Sequence, residues 1–273
     1  MKTAVGLFSC LFMLTATSAD AGPRRSMQHL QHVVLDPGHG GTNMGTPGAH
    51  GIHEKYLTLP IALAVEKLLL QHTDTQVTLT RREDVAMGLR ERTRLANEVR
   101  GDIFLSIHCN ASPQTSARGV EVYFLSPDSA TAEIADVVHR EEGQEQATEP
   151  AHSEHAHHAQ NTPPPGPNEP ALPLSLDQIL QEAQMYRAHA QAEQVAGVML
   201  DELHRTLNAP RRGVMQAPFG VLKEAEMPAV VVEVGFLSHE FEGRKLTNAR
   251  YQRRVARAIF NAIVRLDREL VTR

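Results

Sequence analysis

Short apolar runs that alternate with stretches of helical periodicity constrain the fold of this chain most strongly. Apolar runs typical of strands cover residues 32–36, 102–108, 119–125 and 228–235, and residues 76–80 alternate like a strand. Apolar residues recur at helical spacing within about 57–72, 89–99, 130–140, 176–207 and 248–270. Because strands and helices alternate, we predict an α/β sandwich with a mainly parallel or mixed sheet. Between Pro218 and Gly235 we expect a hairpin that leads into the last strand.

The composition indicates one compact domain and excludes some classes of function. The chain has 273 residues, of which 41% are hydrophobic, and this is enough for one core. Aromatic residues make up 4% and Trp is absent, which argues against broad stacking platforms for sugars or bases. The net charge of -5 argues against a polyanion binder, so we expect no nucleic-acid partner, and we expect a monomer.

The first residues have the order of a secretory signal peptide. Lys2 precedes an apolar stretch over about residues 4–14, and small residues follow over 15–21. The apolar stretch is too short to persist as a membrane-spanning helix. We therefore predict that residues 1–21 are a signal peptide and that the protein is exported.

The cysteines predict no disulfide. Cys10 lies in the predicted signal peptide, so Cys109 would be the one thiol of the mature protein. His108 is its neighbour, but adjacent residues of a strand point to opposite faces, which disfavours a Cys-His nucleophilic pair. We expect Cys109 to be a small buried residue.

One segment, at about residues 141–173, breaks the alternation of strands and helices. It contains acidic residues, a His cluster (His152, His155, His157 and His158) and the prolines at 163–165. Such a segment cannot bury enough apolar surface to order itself. We predict a flexible insertion within one domain, and we interpret the His cluster as soluble sequence rather than as a zinc scavenger.

Polar side chains capable of metal or acid-base chemistry occur at strand ends and at a helix entrance. They are His39, Glu54, His108 and Glu233. Open α/β sheets place their sites at the carboxyl ends of strands, where loops converge. Two imidazoles and a carboxylate form a catalytic zinc set with one position left for water, and a further carboxylate would carry the proton.

Each of these residues also has an ordinary structural explanation. Taken alone, His39 is typical of a loop residue, His108 of a core histidine and Glu54 of a charge that the helix dipole favours at a helix entrance. Glu233 differs, because a carboxylate within a strongly apolar strand is costly to bury without a partner.

Four sequence motifs resemble those of a known protein family. They are VVLDPGHGG (33–41), GIHEKYLTLPIAL (51–63), RTRLANEVRGDIFLSIHCNAS (92–112) and AVVVEVGFLSH (229–239). Together they look like zinc-dependent N-acetylmuramoyl-L-alanine amidases with a His-Glu-His zinc site, and the resemblance covers roughly residues 32–125 and 172–268.

The resemblance implies a function and roles for these residues. His39, Glu54 and His108 would bind Zn²⁺, and Glu233 would be the catalytic glutamate. It also implies a single catalytic domain over about residues 28–270, with a central mixed sheet of about six strands covered by helices. The substrate would be periplasmic peptidoglycan, cleaved between N-acetylmuramic acid and L-alanine during cell separation or wall remodelling.

Neighbouring residues in the motifs carry no such role. His53 and Glu54 do not begin an HExxH motif, because position 57 is Leu57. His53 is therefore interpreted as incidental. Asn110 lies in the matching segment and is assigned no catalytic role.

The insertion suggests a regulatory hypothesis that also rests on the resemblance. Related amidases of Gram-negative periplasms carry an inserted helix that covers the zinc and is displaced by an activator protein. The insertion lies at the matching place here, although its His- and Pro-rich centre departs from that pattern. In this hypothesis residues 130–142 form a lid, with Glu141 or Glu142 in the open zinc position, and a periplasmic activator acts on it. The alternative is a solvated charge run.

Other functions stay open from the sequence alone. A zinc peptidase that trims another amide of the stem peptide would use the same chemistry. A catalytically silent wall-binding or metal-binding protein would depend on the His-rich segment, but such a module has no need for Glu233. We expect no additional wall-targeting domain before residue 32 or after residue 268.

Overall fold

The computed structural model describes residues 24–125, 131–146 and 176–270. The predicted signal peptide of residues 1–21 lies outside the described residues. The His cluster and the prolines of the predicted insertion lie outside them as well.

A mixed sheet of six strands forms the centre of the molecule, with the order β2-β1-β3-β6-β4-β5. The strands are β1 (His32–Pro37), β2 (Gln76–Leu79), β3 (Ile103–Asn110), β4 (Val120–Leu125), β5 (Arg211–Ala217) and β6 (Ala229–Phe236). All neighbouring strands pair in parallel except β4 and β6, which are antiparallel. This arrangement confirms the predicted single α/β domain with a mixed, mainly parallel sheet.

Helices cover both faces of the sheet. They are α1 (Lys55–His72), α2 (Leu89–Glu98), α3 (Ala132–Gln146), α4 (Leu176–Leu207), α5 (Glu240–Leu246) and α6 (Ala249–Leu270), with a short 3-10 turn at Gly220–Leu222. Helices α1, α4 and α6 pack together over one face, and α2, α3 and the 3-10 turn lie on the other. Among the described residues, none of these helices is both long and apolar enough to span a membrane.

Alternation along β1 shows why an apolar run of this kind becomes a central strand. Val33 and Leu35 belong to the core beneath α1, and Val34 belongs to the opposite core with Leu89 and Ala96 of α2. Successive side chains of a strand point to opposite faces, so a strand covered on both sides has to be apolar throughout.

Helix α1 begins at Lys55, and Pro60 lies in its second turn. Tertiary contacts fix the start, because backbone amides of Thr46 and Cys109 donate to the Glu54 carboxylate. These contacts hold the residue that precedes the helix, whatever the local preference of the proline.

The predicted hairpin between Pro218 and Gly235 is wrong. Strand β6 pairs with β3 and β4, whereas β5 ends before Pro218 and pairs in parallel with β4. Strand β5 gave no clear signal, because most of its residues are exposed or half-buried at the edge of the sheet. Helix α3 continues through Gln146, into the segment expected to be an insertion.

Candidate active site

A glycine-rich turn after β1 carries the first candidate ligand. His39 has a φ of 60°, and Gly40 and Gly41 that follow it also have positive φ values. A Cβ atom at Gly38 would lie 2.3 Å from the His108 ring. The turn therefore needs glycine at position 38, because a side chain there would collide with the His108 ring.

Buried cations hold this turn in place. The carbonyl oxygens of Pro37, His39 and Gly41 accept hydrogen bonds from Arg81, Arg92 and Lys55, at 2.9, 2.9 and 2.7 Å respectively. All three donors are buried, so their bonds are shielded from water. They offset the cost of the left-handed backbone at His39.

The Glu54 carboxylate bridges the two histidines. Its Oε2 lies 2.8 Å from His39 Nε2, and its Oε1 lies 3.0 Å from His108 Nδ1. Glu141 of α3 completes the group, because its Oε2 lies 3.2 Å from each of these nitrogens. One ligand atom from each of the four residues lies within 4.8 Å of the others.

These residues could hold a metal ion, and their donor chemistry fits zinc. Two imidazole nitrogens and a carboxylate oxygen are ligands that a catalytic zinc site uses, and Glu141 supplies a fourth donor where such a site keeps an open position. The other ring nitrogen of His39, Nδ1, lies 3.1 Å from Asn43 Oδ1. A hydrogen bond of this kind orients a metal-binding imidazole and fixes its tautomer.

Burial and the nearby carboxylates shift the pKa values of the two histidines in opposite directions. Burial by itself lowers the pKa of His39, but the Glu54 carboxylate and a hydrogen bond to Glu141 raise it to about 9. Burial also opposes protonation of His108, and hydrogen bonds to Glu141 and Glu54 raise its pKa above the usual range. Metal binding here therefore has to displace protons from the imidazoles.

Glu233 lies on the strand next to His108, outside this four-residue group. It is directly opposite His108 in the pairing of β3 with β6 and opposite Glu121 in the pairing of β6 with β4. Both of its carboxylate oxygens are buried without a hydrogen-bond partner among the described residues. Burial, followed by the negative charge of Glu141, raises its pKa well above the ordinary value. A carboxyl group in this state is suited to hold and transfer a proton.

Of the two lid residues considered, the structure places Glu141 in the site. Glu142 points elsewhere, and its Oε1 accepts a hydrogen bond from the Val221 amide at 3.2 Å. Helix α3 thus covers the site with one glutamate and contacts the 3-10 turn with the next.

Cys109 and His53 lie outside the cluster. Cys109 is fully buried, and burial followed by the nearby Glu54 charge raises the pKa of its thiol, which makes it a poor nucleophile. This confirms the expected small buried residue. His53 instead forms an isolated bridge with Pro47.

Two residues in or beside the candidate site were not predicted from the sequence. Asn43 could have been noticed as a polar residue four positions after His39 in a glycine-rich turn. The acidic Glu121 in the apolar strand β4 was a comparable signal, because a carboxylate in such a strand needs partners.

Comparison with known proteins agrees with this geometry. Residues 33–265 match the family described as N-acetylmuramoyl-L-alanine amidase. The AmiC amidase of Neisseria meningitidis is 29% identical over 233 residues, which is 85% of this chain and 52% of the relative. The AmiC amidase of Escherichia coli O6:H1 is 28% identical over 231 residues, covering 85% of this chain and 51% of the relative. The chain spans about half the length of these two relatives.

A solved structure shows the same likeness. The catalytic domain of CwlV, an N-acetylmuramoyl-L-alanine amidase from Bacillus (Paenibacillus) polymyxa, superposes with a TM-score of 0.60 at 25% identity, covering 86% of this chain and 97% of that domain. The family match extends from β1 into α6 and includes all four predicted site residues. The chain therefore belongs to the N-acetylmuramoyl-L-alanine amidase family.

Proposed function

We propose that this protein is a zinc-dependent amidase that hydrolyses the bond between N-acetylmuramic acid and L-alanine in peptidoglycan. One observation carries the proposal: His39, Glu54 and His108 converge on one point, beside a buried Glu233 on the next strand. Family membership supports the substrate class, and the donor set supports zinc.

In this proposal His39, Glu54 and His108 hold the metal ion. Zinc held by these residues would supply Lewis-acid polarisation of the scissile carbonyl and would make the attacking water more acidic. Glu233 accepts the proton of the attacking water and delivers it to the leaving nitrogen of L-alanine. Its buried carboxylate favours this role, because no side chain of the described residues forms a hydrogen bond with it.

Helix α3 acts as an inhibitory lid in the same proposal. Glu141 Oε2 contacts both imidazoles, so it occupies the position that water and substrate require. Activation then requires α3 to move, and a periplasmic activator protein is the proposed cause. The predicted signal peptide supports action in the periplasm, in cell separation or wall remodelling.

The direct test uses residues 22–273 and isolated peptidoglycan sacculi, with zinc or with a chelator, and identifies soluble products by mass spectrometry. We expect free stem peptides that begin at L-alanine, lost with chelator. Glu233→Gln should reduce release by about 10²- to 10⁴-fold, because the proton carrier is gone.

A Glu141→Ala chain is tested in parallel, so that an inhibited enzyme is distinguished from an inactive one. Peptides that begin at another residue would favour the zinc peptidase. If neither chain releases soluble peptides, the result would contradict hydrolysis and favour a wall-binding protein.

A further inference from the structure

A second buried polar cluster lies beside Glu233. We call it the Glu121 cluster, and it consists of Asn110, Glu121, Tyr123 and Arg212. The Glu121 carboxylate accepts a hydrogen bond from Asn110 Nδ2 at 2.6 Å, another from the Tyr123 hydroxyl at 2.8 Å, and a third from Arg212 Nε. The proton transfers of the proposed hydrolysis do not involve these residues, so their arrangement needs a separate explanation.

The cluster fixes the orientation of the Asn110 side chain. A carboxylate can only accept hydrogen bonds, so the atom of Asn110 that contacts Glu121 has to be its amino group. The carbonyl oxygen, Oδ1, then points away from Glu121. It is buried and has no hydrogen-bond partner among the residues that the structure describes. A buried acceptor of this kind requires a donor from outside the protein, such as a ligand N–H.

Arg212 presents a second recognition group. Its Nε is engaged by Glu121 and its guanidinium lies 5.0 Å from the centre of the Phe236 ring. Within the described part of the chain its terminal nitrogens have no hydrogen bond, and its side chain is 36% exposed. A guanidinium held in this way keeps its planar fork available for a carboxylate.

Both groups line one cavity of about 520 Å³. The sheet and the loop after β3 form its floor, with Tyr123, Met215 and Phe236 among the lining residues, and helix α3 forms its roof. This volume is in the range of pockets that hold small ligands. The lining is mostly polar, with Arg212 on the sheet side and Glu133 and Asp136 on α3, and Met215 and Phe236 add apolar surface. This mixture suits a peptide with charged and apolar parts better than a simple ion.

The sheet register relates this cavity to the candidate metal site. Glu121 is opposite Glu233, and Glu233 is opposite His108 on the next strand. Neighbouring strands lie about 4.7–4.9 Å apart, so Arg212 on β5 is about 10 Å from the strand of Glu233. An extended chain advances about 3.3–3.6 Å per residue. A side group on the second residue after a bond cleaved at Glu233 is therefore within reach of the long Arg212 side chain.

We propose that the sheet side of this cavity, which the proposed movement of α3 would open, is the stem-peptide subsite, where Asn110 Oδ1 accepts a peptide N–H and Arg212 pairs with the carboxylate of the second stem residue. The inference rests on the proposed amidase function. In peptidoglycan the second residue is D-glutamate, whose α-carboxyl group is either free or amidated, and the subsite selects the free form.

The test uses the full chain with Glu141→Ala and two soluble muropeptides that differ only in the free or amidated α-carboxyl group of the second residue. Arg212→Gln should lower kcat/KM for the free carboxylate by about tenfold to a hundredfold and hardly change it for the amidated form. Asn110→Leu should lower both equally, by up to about tenfold, because the N–H is common to both substrates. Arg212→Lys keeps the charge without the fork and should show a smaller loss with the same selectivity.

Arg211→Gln is the matched control. Arg211 is the neighbour of Arg212 on β5, but it pairs with Asp201 at 3.0 Å and is half exposed. We expect its variant to treat both substrates like the parent chain, and thermal unfolding should show that every variant is folded. Equal loss of both substrates in Arg212→Gln would overturn carboxylate recognition. Failure of the parent chain to release any peptide would instead contradict the amidase function, and the subsite with it.

Discussion

Glu141 and Glu142 are adjacent in α3, yet their carboxylates have different partners. Successive residues of an α-helix are about 100° apart around its axis, so one helix can place one glutamate against the imidazoles and the next against the Val221 amide. The two contacts together determine both the rotation and the height of α3 over the site.

The first prediction concerns Glu141. Glu141→Ala should raise basal release of stem peptides, because it removes the carboxylate that occupies the site while leaving the Glu142 contact intact. Initial rates on sacculi with added zinc measure the effect. His139→Ala is the control, since His139 is exposed on the same helix. An unchanged rate for Glu141→Ala would show that α3 does not inhibit.

A second prediction concerns the orientation of His39. Asn43→Ala should weaken zinc binding by about 10- to 100-fold, because Asn43 Oδ1 contacts His39 Nδ1 and also accepts from the Gly45 amide. Competition with a chromogenic chelator measures the affinity. Asn97→Ala tests a surface asparagine that bonds only to the backbone near Glu224 and should leave the affinity unchanged. Equal affinities for all three proteins would refute the orienting role.

Helix α2 is joined to the sheet by a buried ion pair. Arg92 Nη1 lies 2.8 Å from Asp36 Oδ1, and each side chain is 1% exposed. Thr80 and Ser106 also donate to this carboxylate. Burial opposes ionisation of Asp36, but Arg92 and these hydrogen bonds outweigh it and hold its pKa below the usual 3.8.

A third prediction follows for the pH dependence of stability. Because the folded-state pKa is depressed, the contribution of Asp36 is fully present above pH 3.8 and is lost as the pH falls below that value. Asp36→Asn should lower the free energy of unfolding by about 3–5 kcal/mol at neutral pH, since it leaves Arg92 buried and uncompensated. In urea titrations the difference from wild type should shrink below pH 3.8.

The exposed pair of Arg94 and Glu98 on the same helix is the control for this measurement. Arg94→Gln should change stability by less than about 1 kcal/mol at every pH. A difference between Asp36→Asn and wild type that stays constant down to pH 2 would contradict the assigned pKa direction.

Among the strands and helices, those that are buried on both sides are predicted from the sequence, and those that are not buried in this way are missed. The apolar runs of β1, β3 and β6 predict central strands, because only continuous apolar sequence can be covered on both faces. Strand β5 lies at the edge of the sheet and helix α5 has 7 residues, so local composition gives them little signal. The position of β6 between β3 and β4 is set by pairing at long range, which no window of sequence contains.

The residues of the candidate site also fall into a group that the sequence predicts and a group that it does not. His39, Glu54 and His108 are found by residue type at element ends, and their side chains lie together in the structure. Asn43 and the Glu121 cluster are not predicted from the sequence, because their roles depend on which strands and turns become neighbours.

For the whole molecule, metal binding should be coupled to stability. An ion that binds the folded state stabilises it by about 2.7 kcal/mol at a free concentration of 100 times Kd. The fourth prediction is that Tm rises with added zinc in differential scanning calorimetry, and that His108→Ala abolishes the rise. A zinc-induced increase that persists in His108→Ala would point to binding elsewhere, for example at the His-rich segment.

Because β6 lies between β3 and β4, the sheet can be completed only after β6 has been synthesised. Residues 229–236 are the last strand to be synthesised, yet they separate β3 from β4 and carry Glu233. A chain interrupted before residue 229 can therefore form neither a continuous sheet nor the part of the candidate site that contains Glu233. Contacts between segments this distant also form slowly. A growing chain that lacks β6 therefore also lacks Glu233, so the same strand completes both the sheet and the candidate site.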